Sequence, residues 1–253
     1  MFQKRIINFS ENVFDSLSQS ANFEDITNGR KGGVLVDCGE SQKIPIVRTT
    51  TNYNKPAQQF QPIHYKIADK IKQAFPTLDI KLNNAMIEIY DSGYRKMGFH
   101  TDQSLDLMND SYICIFSCYD KAPNPKEMRQ LIVHKKTNNV PKYETILMEN
   151  NSVILFSKSA NHLHKHKIIL DPNVKTDKKW IGITFRLSKT FIEFVGNDPY
   201  ITCGNETKLL RFAGKEKGTF YRLKGNENST VDFVWPEIDY TLSKNDLLKP
   251  TTS

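Results

Sequence analysis

No run of this chain approaches the roughly 18 or more consecutive apolar residues that a membrane-spanning helix needs. The first residues, Met1-Phe2-Gln3-Lys4-Arg5-Ile6, lead into polar sequence rather than into the apolar core of a secretory leader. Cysteine is scarce, and Cys38, Cys114, Cys118 and Cys203 fall at irregular spacings with no C-x-x-C. A disulfide framework, a zinc ribbon and a dithiol redox centre are thereby excluded. Cys114 lies within the apolar run 112–116 and reads as a buried thiol. Internal repeats and extended low-complexity segments are also missing, which excludes solenoids and disordered tails. Together these absences predict a soluble, intracellular protein without membrane contact.

A hydrophobic fraction of 38% and a charged fraction of 25% in 253 residues support one principal domain with terminal extensions. The formal net charge of +7 admits a polyanionic partner such as nucleic acid. Most of the lysines are scattered among asparagines, as an ordinary solvated surface would have them. A local concentration occurs at Lys158, Lys165, Lys167, Lys175, Lys178 and Lys179.

The spacing of Ile63, Ile67 and Ile71, with Ala68 and Phe75 beside them, predicts a helix over 61–75 that Pro76 stops. Upstream, 28–33 is turn-like and a strand begins at 34, while 44–53 reads as a strand running into an exposed loop. From 84 to 193 the chain is a succession of short strands: 85–90, 112–119, 130–134, 144–148, 153–156, 166–170 and 180–186. That succession predicts an all-β barrel or sandwich rather than βαβ units. The tail carries a further strand at 231–234 and a helical turn at 243–248.

Within that frame, Gly98-Phe99-His100-Thr101-Asp102 sets an imidazole and a carboxylate two residues apart. In extended chain they face the same side and can reach one cation. By itself H-x-D recurs in many proteins. Its weight comes from the ordered succession downstream: a strand, the histidines His162, His164 and His166, another strand, and Arg186 in Ile183-Thr184-Phe185-Arg186. Two histidines and one carboxylate on one face leave open positions on Fe(II). A guanidinium on the last strand suits a carboxylate bidentately.

The segment 89–102 resembles the Asn-x-Tyr, Gly, His-x-Asp sequence of the AlkB-like dioxygenases, and Ile183-Thr184-Phe185-Arg186 resembles their Leu-Thr-Phe-Arg ending. The resemblance covers about residues 84–190. It implies a mainly β fold with flanking helices, a double-stranded β-helix (jelly-roll) barrel. It divides the chain into an N-terminal extension with lid loop and helix (1–83), a catalytic core (84–193) and a C-terminal extension packed on the core (194–253). The implied metal ligands are His100, Asp102 and His166 for Fe(2+). His166 is preferred because His166-Lys167-Ile168 matches the family's His-x-Leu/Ile; His164 is the alternative, and His162 reads as loop. The implied cosubstrate is 2-oxoglutarate, gripped by Arg186 and Tyr90, and Arg48 and Tyr53 fall in the stretch that touches substrate. Two positions depart from the pattern: Glu88 stands where the family has Asn, and Trp180 where it has a second Arg. Arg186 must then do more, or another cation such as Lys178, Lys179 or Arg95 must help. The function implied is oxidative demethylation of N-methylated nucleic-acid bases. The alternatives are hydroxylation of a protein side chain or small molecule, and a non-catalytic binding module on the same fold.

Overall fold

Runs rich in β-branched and aromatic residues form the strands of this chain. The computed structural model describes residues 1–40, 43–137, 140–203 and 206–251. The protein is mainly β with few helices, and its sheets are predominantly antiparallel. In chain order the elements are β1 (Gln3–Ile6), α1 (Phe14–Gln19), β2 (Glu24–Thr27), β3 (Arg30–Val36), β4 (Ile44–Ile46), β5 (Gln58–Gln59), α2 (Pro62–Ala74), β6 (Asn84–Tyr90) and β7 (Tyr112–Tyr119). Next come β8 (Gln130–Lys135), β9 (Glu144–Leu147), β10 (Ser152–Ser157), α3 (Lys158–Leu163), β11 (His164–Ile169), β12 (Trp180–Arg186), β13 (Thr190–Val195), β14 (Asp198–Cys203), β15 (Glu206–Leu209) and α4 (Lys217–Ser229).

The largest sheet runs β1-β10-β7-β12-β6-β3-β2, with β5 paired to β3, and a three-stranded sheet runs β11-β8-β9. Their facing sides share one apolar cluster, in which Ile113, Ile115, Ile154 and Trp180 meet Leu131, Val133 and Ile168. On β6, Asn84, Met86, Glu88 and Tyr90 share a face by period-two alternation. Register pairs Trp180 with Tyr90, Gly182 with Glu88 and Arg186 with Asn84, so polar side chains of β12 stand on that same face. The other face, with Ala85, Ile87, Ile181, Ile183 and Phe185, packs under Ile67 and Ile71 of α2. Full burial of each such isoleucine stabilises the fold by roughly 1.5–3 kcal/mol. Residues 1–83 contribute β1, β2, β3 and β5 to the main sheet.

Several local expectations are corrected. Strand β3 begins at Arg30, not at residue 34, because the turn is confined to Asn28-Gly29, where Gly29 adopts φ +71. A Cβ there would also lie 2.5 Å from both Asp91 Oδ1 and Tyr94 N. His162 belongs to helix α3, whose N-terminus is capped by Ser157 Oγ accepting from Ala160 N at 3.1 Å. Residues 231–234 form no strand, and the helix of the tail is α4 instead. Its weak apolar pattern, with Gly218 and Gly225 inside it, hides it from periodicity; buried polar contacts hold it. Residues Lys244–Leu247 form a 3-10 turn. Cys114 and Cys118 are fully buried thiols whose pKa burial pushes up. Among the described residues no helix is long and apolar enough to cross a membrane.

Helix α2 starts on a buried device. Gln61 N donates to His64 Nδ1 at 2.9 Å, and His64 Nε2 lies 2.8 Å from Ser20 Oγ, which donates to Leu17 O. Burial lowers the His64 pKa to about 4. A histidine that is neutral when folded contributes stability that is complete above its unfolded pKa near 6.5 and is lost as pH falls toward 4. Chemical denaturation should therefore show a loss of ~2 kcal/mol between about pH 7.5 and pH 5. His64→Gln should flatten that segment of the profile; an unchanged slope in the variant would assign it to other groups.

Candidate metal centre

His100 and His166 are brought face to face by the backbone. His100 N donates to His166 O at 3.0 Å and His166 N to His100 O at 2.8 Å, an isolated bridge outside the regular ladders. The two rings lie with centroids 4.5 Å apart. Nε2 of each stands 3.5 Å from Asp102 Oδ1, and the three ligand-type atoms lie within 4.8 Å of one another. Cis ligands about 2.1 Å from a metal are separated by roughly 3 Å, so a small inward adjustment would seat an ion. His100 Nδ1 lies 3.0 Å from Gly98 O, which fixes Nδ1 as donor and leaves the Nε2 lone pair to the site. Burial lowers the pKa of His166, which keeps its imidazole neutral. For Asp102 burial opposes ionisation, yet the Arg186 guanidinium foremost, with the two imidazoles beside the carboxyl, outweighs it and holds the carboxyl well below its usual range. Two imidazoles and a carboxylate on one side fit a divalent ion such as Fe(II), with coordination positions to spare.

The H-x-D loop has no ladder of its own, and side chains distant in sequence hold it. Asn161 of α3 accepts from Asp102 N at 2.9 Å and donates to Asp102 O at 2.7 Å. From α4, Asn228 Oδ1 accepts from Thr101 N at 2.9 Å, and Lys224 Nζ donates to Thr101 O. Glu227, fully buried, accepts from Ser104 N at 2.8 Å, Ser104 Oγ at 2.6 Å and Trp235 Nε1 at 2.8 Å, and pairs with Lys224 at 2.8 Å. None of these residues carries a sequence signal, because each reaches the loop across more than fifty positions of chain.

A cavity of about 470 Å³ opens beside the triad, lined in part by Arg30, Lys96, His100, Asp102, Gln103 and Arg186. Arg186 Nη2 donates to Asp102 Oδ2 at 3.3 Å, while its buried Nε meets no acceptor among the described residues. The buried amide of Gln103 has no partner there for either polar atom.

His164 turns elsewhere: its Nδ1 lies 2.7 Å from Ala160 O and its ring meets Phe2 edge-on. Tyr90 is buried, donating to Glu88 Oε2 at 2.5 Å. Arg48 and Tyr53, expected at the substrate, are both buried parts of the framework. Arg48 pairs with Asp106 at 2.6 Å and donates to Ile238 O and Tyr240 O, so its charge serves the attachment of the tail. The Tyr53 hydroxyl lies 3.4 Å from Glu88 Oε1, and its backbone is bound to Ser243 and Asn245. The stretch between them, Thr49–Thr51, does line the cavity. Of the alternative cations, Lys178 pairs with Glu127 and Arg95 donates to Asp171 O and Val174 O; neither they nor Lys179 line the cavity.

No family model matches the chain, and no curated protein does. Among solved structures it is similar to OsALKBH1, at 15% identity and a TM-score of 0.44, over 66% of this chain and 85% of that one. So distant a likeness assigns neither family nor activity, and the chemistry is read from the side chains.

His166→Ala should abolish stoichiometric binding of Fe(II) under anaerobic conditions, whereas His164→Ala should retain it. Asn161→Ala, which frees the Asp102 backbone, should weaken metal affinity by roughly 10–100-fold with the fold intact. Equilibrium metal titration with circular dichroism as a control checks all three, and exchange of the two histidine results would move the ligand to His164.

Proposed function

We propose that this chain is an Fe(II)- and 2-oxoglutarate-dependent dioxygenase of the AlkB-like kind, with the two facing sheets as its double-stranded β-helix. The observation that carries this reading is the convergence of His100, Asp102 and His166, of which His100 and Asp102 line a cavity that also presents Arg186. When bound, iron and 2-oxoglutarate supply an oxidant able to replace a C–H hydrogen by hydroxyl. The chain's own residues do the rest. His100 and His166 offer imidazole nitrogens, and Asp102 stays ionised. Asn161 and α4 hold the loop rigid, which limits the reorganisation that metal binding requires. Arg186 contacts the metal-ligating carboxylate through Nη2 and has further donors for a carboxylate of the cosubstrate. Gln103, with both amide atoms unmet beside the triad, is suited to orient a polar substrate group.

The substrate class we assign is an N-methylated base of nucleic acid. Next to His100, Phe99 stacks on Tyr143 with centroids 5.7 Å apart and meets His134 edge-on, and Lys167 Nζ stands 4.3 Å over the Phe99 ring. Tyr143 is 56% exposed, so this group presents aromatic and cationic surface to solvent. Such surface favours unstacked bases and their phosphates, and a target base must leave its stack to reach a recessed metal.

The test is release of succinate and formaldehyde from N-methylated single-stranded oligonucleotides by the iron-loaded protein. Arg186→Lys keeps the charge and loses the fork, which costs about 1.5–3 kcal/mol. The 2-oxoglutarate KM should then rise roughly ten-fold to a hundred-fold with iron still bound. A wild-type KM would remove Arg186 from the cosubstrate site.

A further inference from the structure

A dicarboxylate has two anionic ends, and Arg186 on β12 accounts for one. Three further cations line the same cavity: Arg30, Lys96 and Lys224. Lys224 is buried and committed to Thr101 O and Glu227, and Lys96 is exposed at the rim. Arg30 is different. Its side chain is 13% exposed, and Nε and Nη2 both donate to one oxygen, Glu88 Oε1, the Nε contact being 2.8 Å. The Glu88 carboxylate in turn accepts from Tyr90 at 2.5 Å and lies 3.4 Å from the Tyr53 hydroxyl. A guanidinium and two phenols around one carboxylate make a built carboxylate site, and the chain fills it with its own side chain.

Register sets the depth of this site. Arg30 stands opposite Tyr90 at one end of β6, and Arg186 opposite Asn84 at the other. Glu88 lies between those levels, flanked by Gly32 on β3 and Gly182 on β12. Neither glycine contributes a side chain there; the Trp180 ring lies over Gly182 and the Tyr53 ring over Gly32. Arg30 and Arg186 are balanced by Glu88 and Asp102, and Lys224 by Glu227, so these buried pairs are neutral until a divalent ion joins the triad. With the ion those groups carry an excess of two positive charges, which a dianion cancels.

We propose, resting on the 2-oxoglutarate reading above, that Arg30 is the second cosubstrate cation and that Glu88 is an internal carboxylate which must yield it to the incoming one. The Tyr90 and Tyr53 hydroxyls keep Glu88 hydrogen-bonded when Arg30 turns away, so its charge is not stranded. The cost of that exchange makes Glu88 a competitor built into the site.

The experiment is anaerobic calorimetry on the Fe(II)-loaded protein with two ligands, 2-oxoglutarate and 2-oxobutyrate, which shares the oxo-acid head and lacks the far carboxylate. Glu88→Gln should tighten 2-oxoglutarate roughly ten-fold and leave 2-oxobutyrate unchanged. Arg30→Met should weaken 2-oxoglutarate by at least about ten-fold, so that the two acids converge. Because Arg30→Met strands a buried carboxylate, the double variant Arg30→Met/Glu88→Gln, without either charge, should show the same convergence in a sound fold. Retained preference for 2-oxoglutarate in the double variant, with normal wild-type binding, would overturn the role of Arg30 alone. Weaker 2-oxoglutarate binding by Glu88→Gln would overturn the competitor role of Glu88. Binding of iron but of neither acid, in wild type and in Glu88→Gln alike, would overturn the oxo-acid reading itself.

Discussion

The two backbone hydrogen bonds between His100 and His166 are the constraint on which the centre depends. They join a loop to the edge of β11 at one point, and flanking bonds from Met97 N to Ile168 O and from Leu170 N to Arg95 O keep that point in register. A slip of one residue along β11 would turn His166 to the opposite face and leave Asp102 with one imidazole. Asn161 and α4 then fix the residues after His100, which no sheet holds. The geometry of three ligand-type atoms is thus the product of contacts from β11, α3 and the tail acting on five consecutive residues.

The same region carries an unusual density of buried charge, and pairing accounts for it. Arg48 with Asp106, Lys224 with Glu227, Arg30 with Glu88 and Arg186 with Asp102 are each buried or nearly so. Breaking such a pair typically costs about 3–5 kcal/mol, because the remaining charge is stranded. Two of the pairs are structural and join the tail to the core. From the other two, Arg30, Arg186 and Asp102 line the cavity beside the triad. Pairing leaves these buried charges balanced beside the three ligand-type side chains.

Asp102 illustrates how opposing effects are decided. Burial by itself would favour the protonated form of a carboxyl at this depth, and Arg186 together with the neighbouring imidazoles reverses the outcome. His166 shows the other sign: burial favours the neutral imidazole, the form that binds metal. One desolvated environment therefore holds the acid ionised and the base neutral, both in the state that coordination needs.

Local pattern determined a good deal. Short apolar runs between polar turns marked β6, β7, β10 and β12 within a residue or two of their observed bounds, and the spacing of Ile63, Ile67 and Ile71 marked α2, since both are local properties of the sequence. The order of His100, Asp102, His166 and Arg186 was legible because the residue types and their succession are themselves sequence properties. Tertiary structure alone decided that Arg48 and Tyr53 turn into the framework, that α4 exists despite its glycines, and that Arg30, Asn161, Gln103 and Glu227 belong to the site. The physical reason is the same for all of them. Their roles are set by partners far along the chain, through buried hydrogen bonds and charge pairs whose energy depends on distance in space and leaves no periodicity in the sequence.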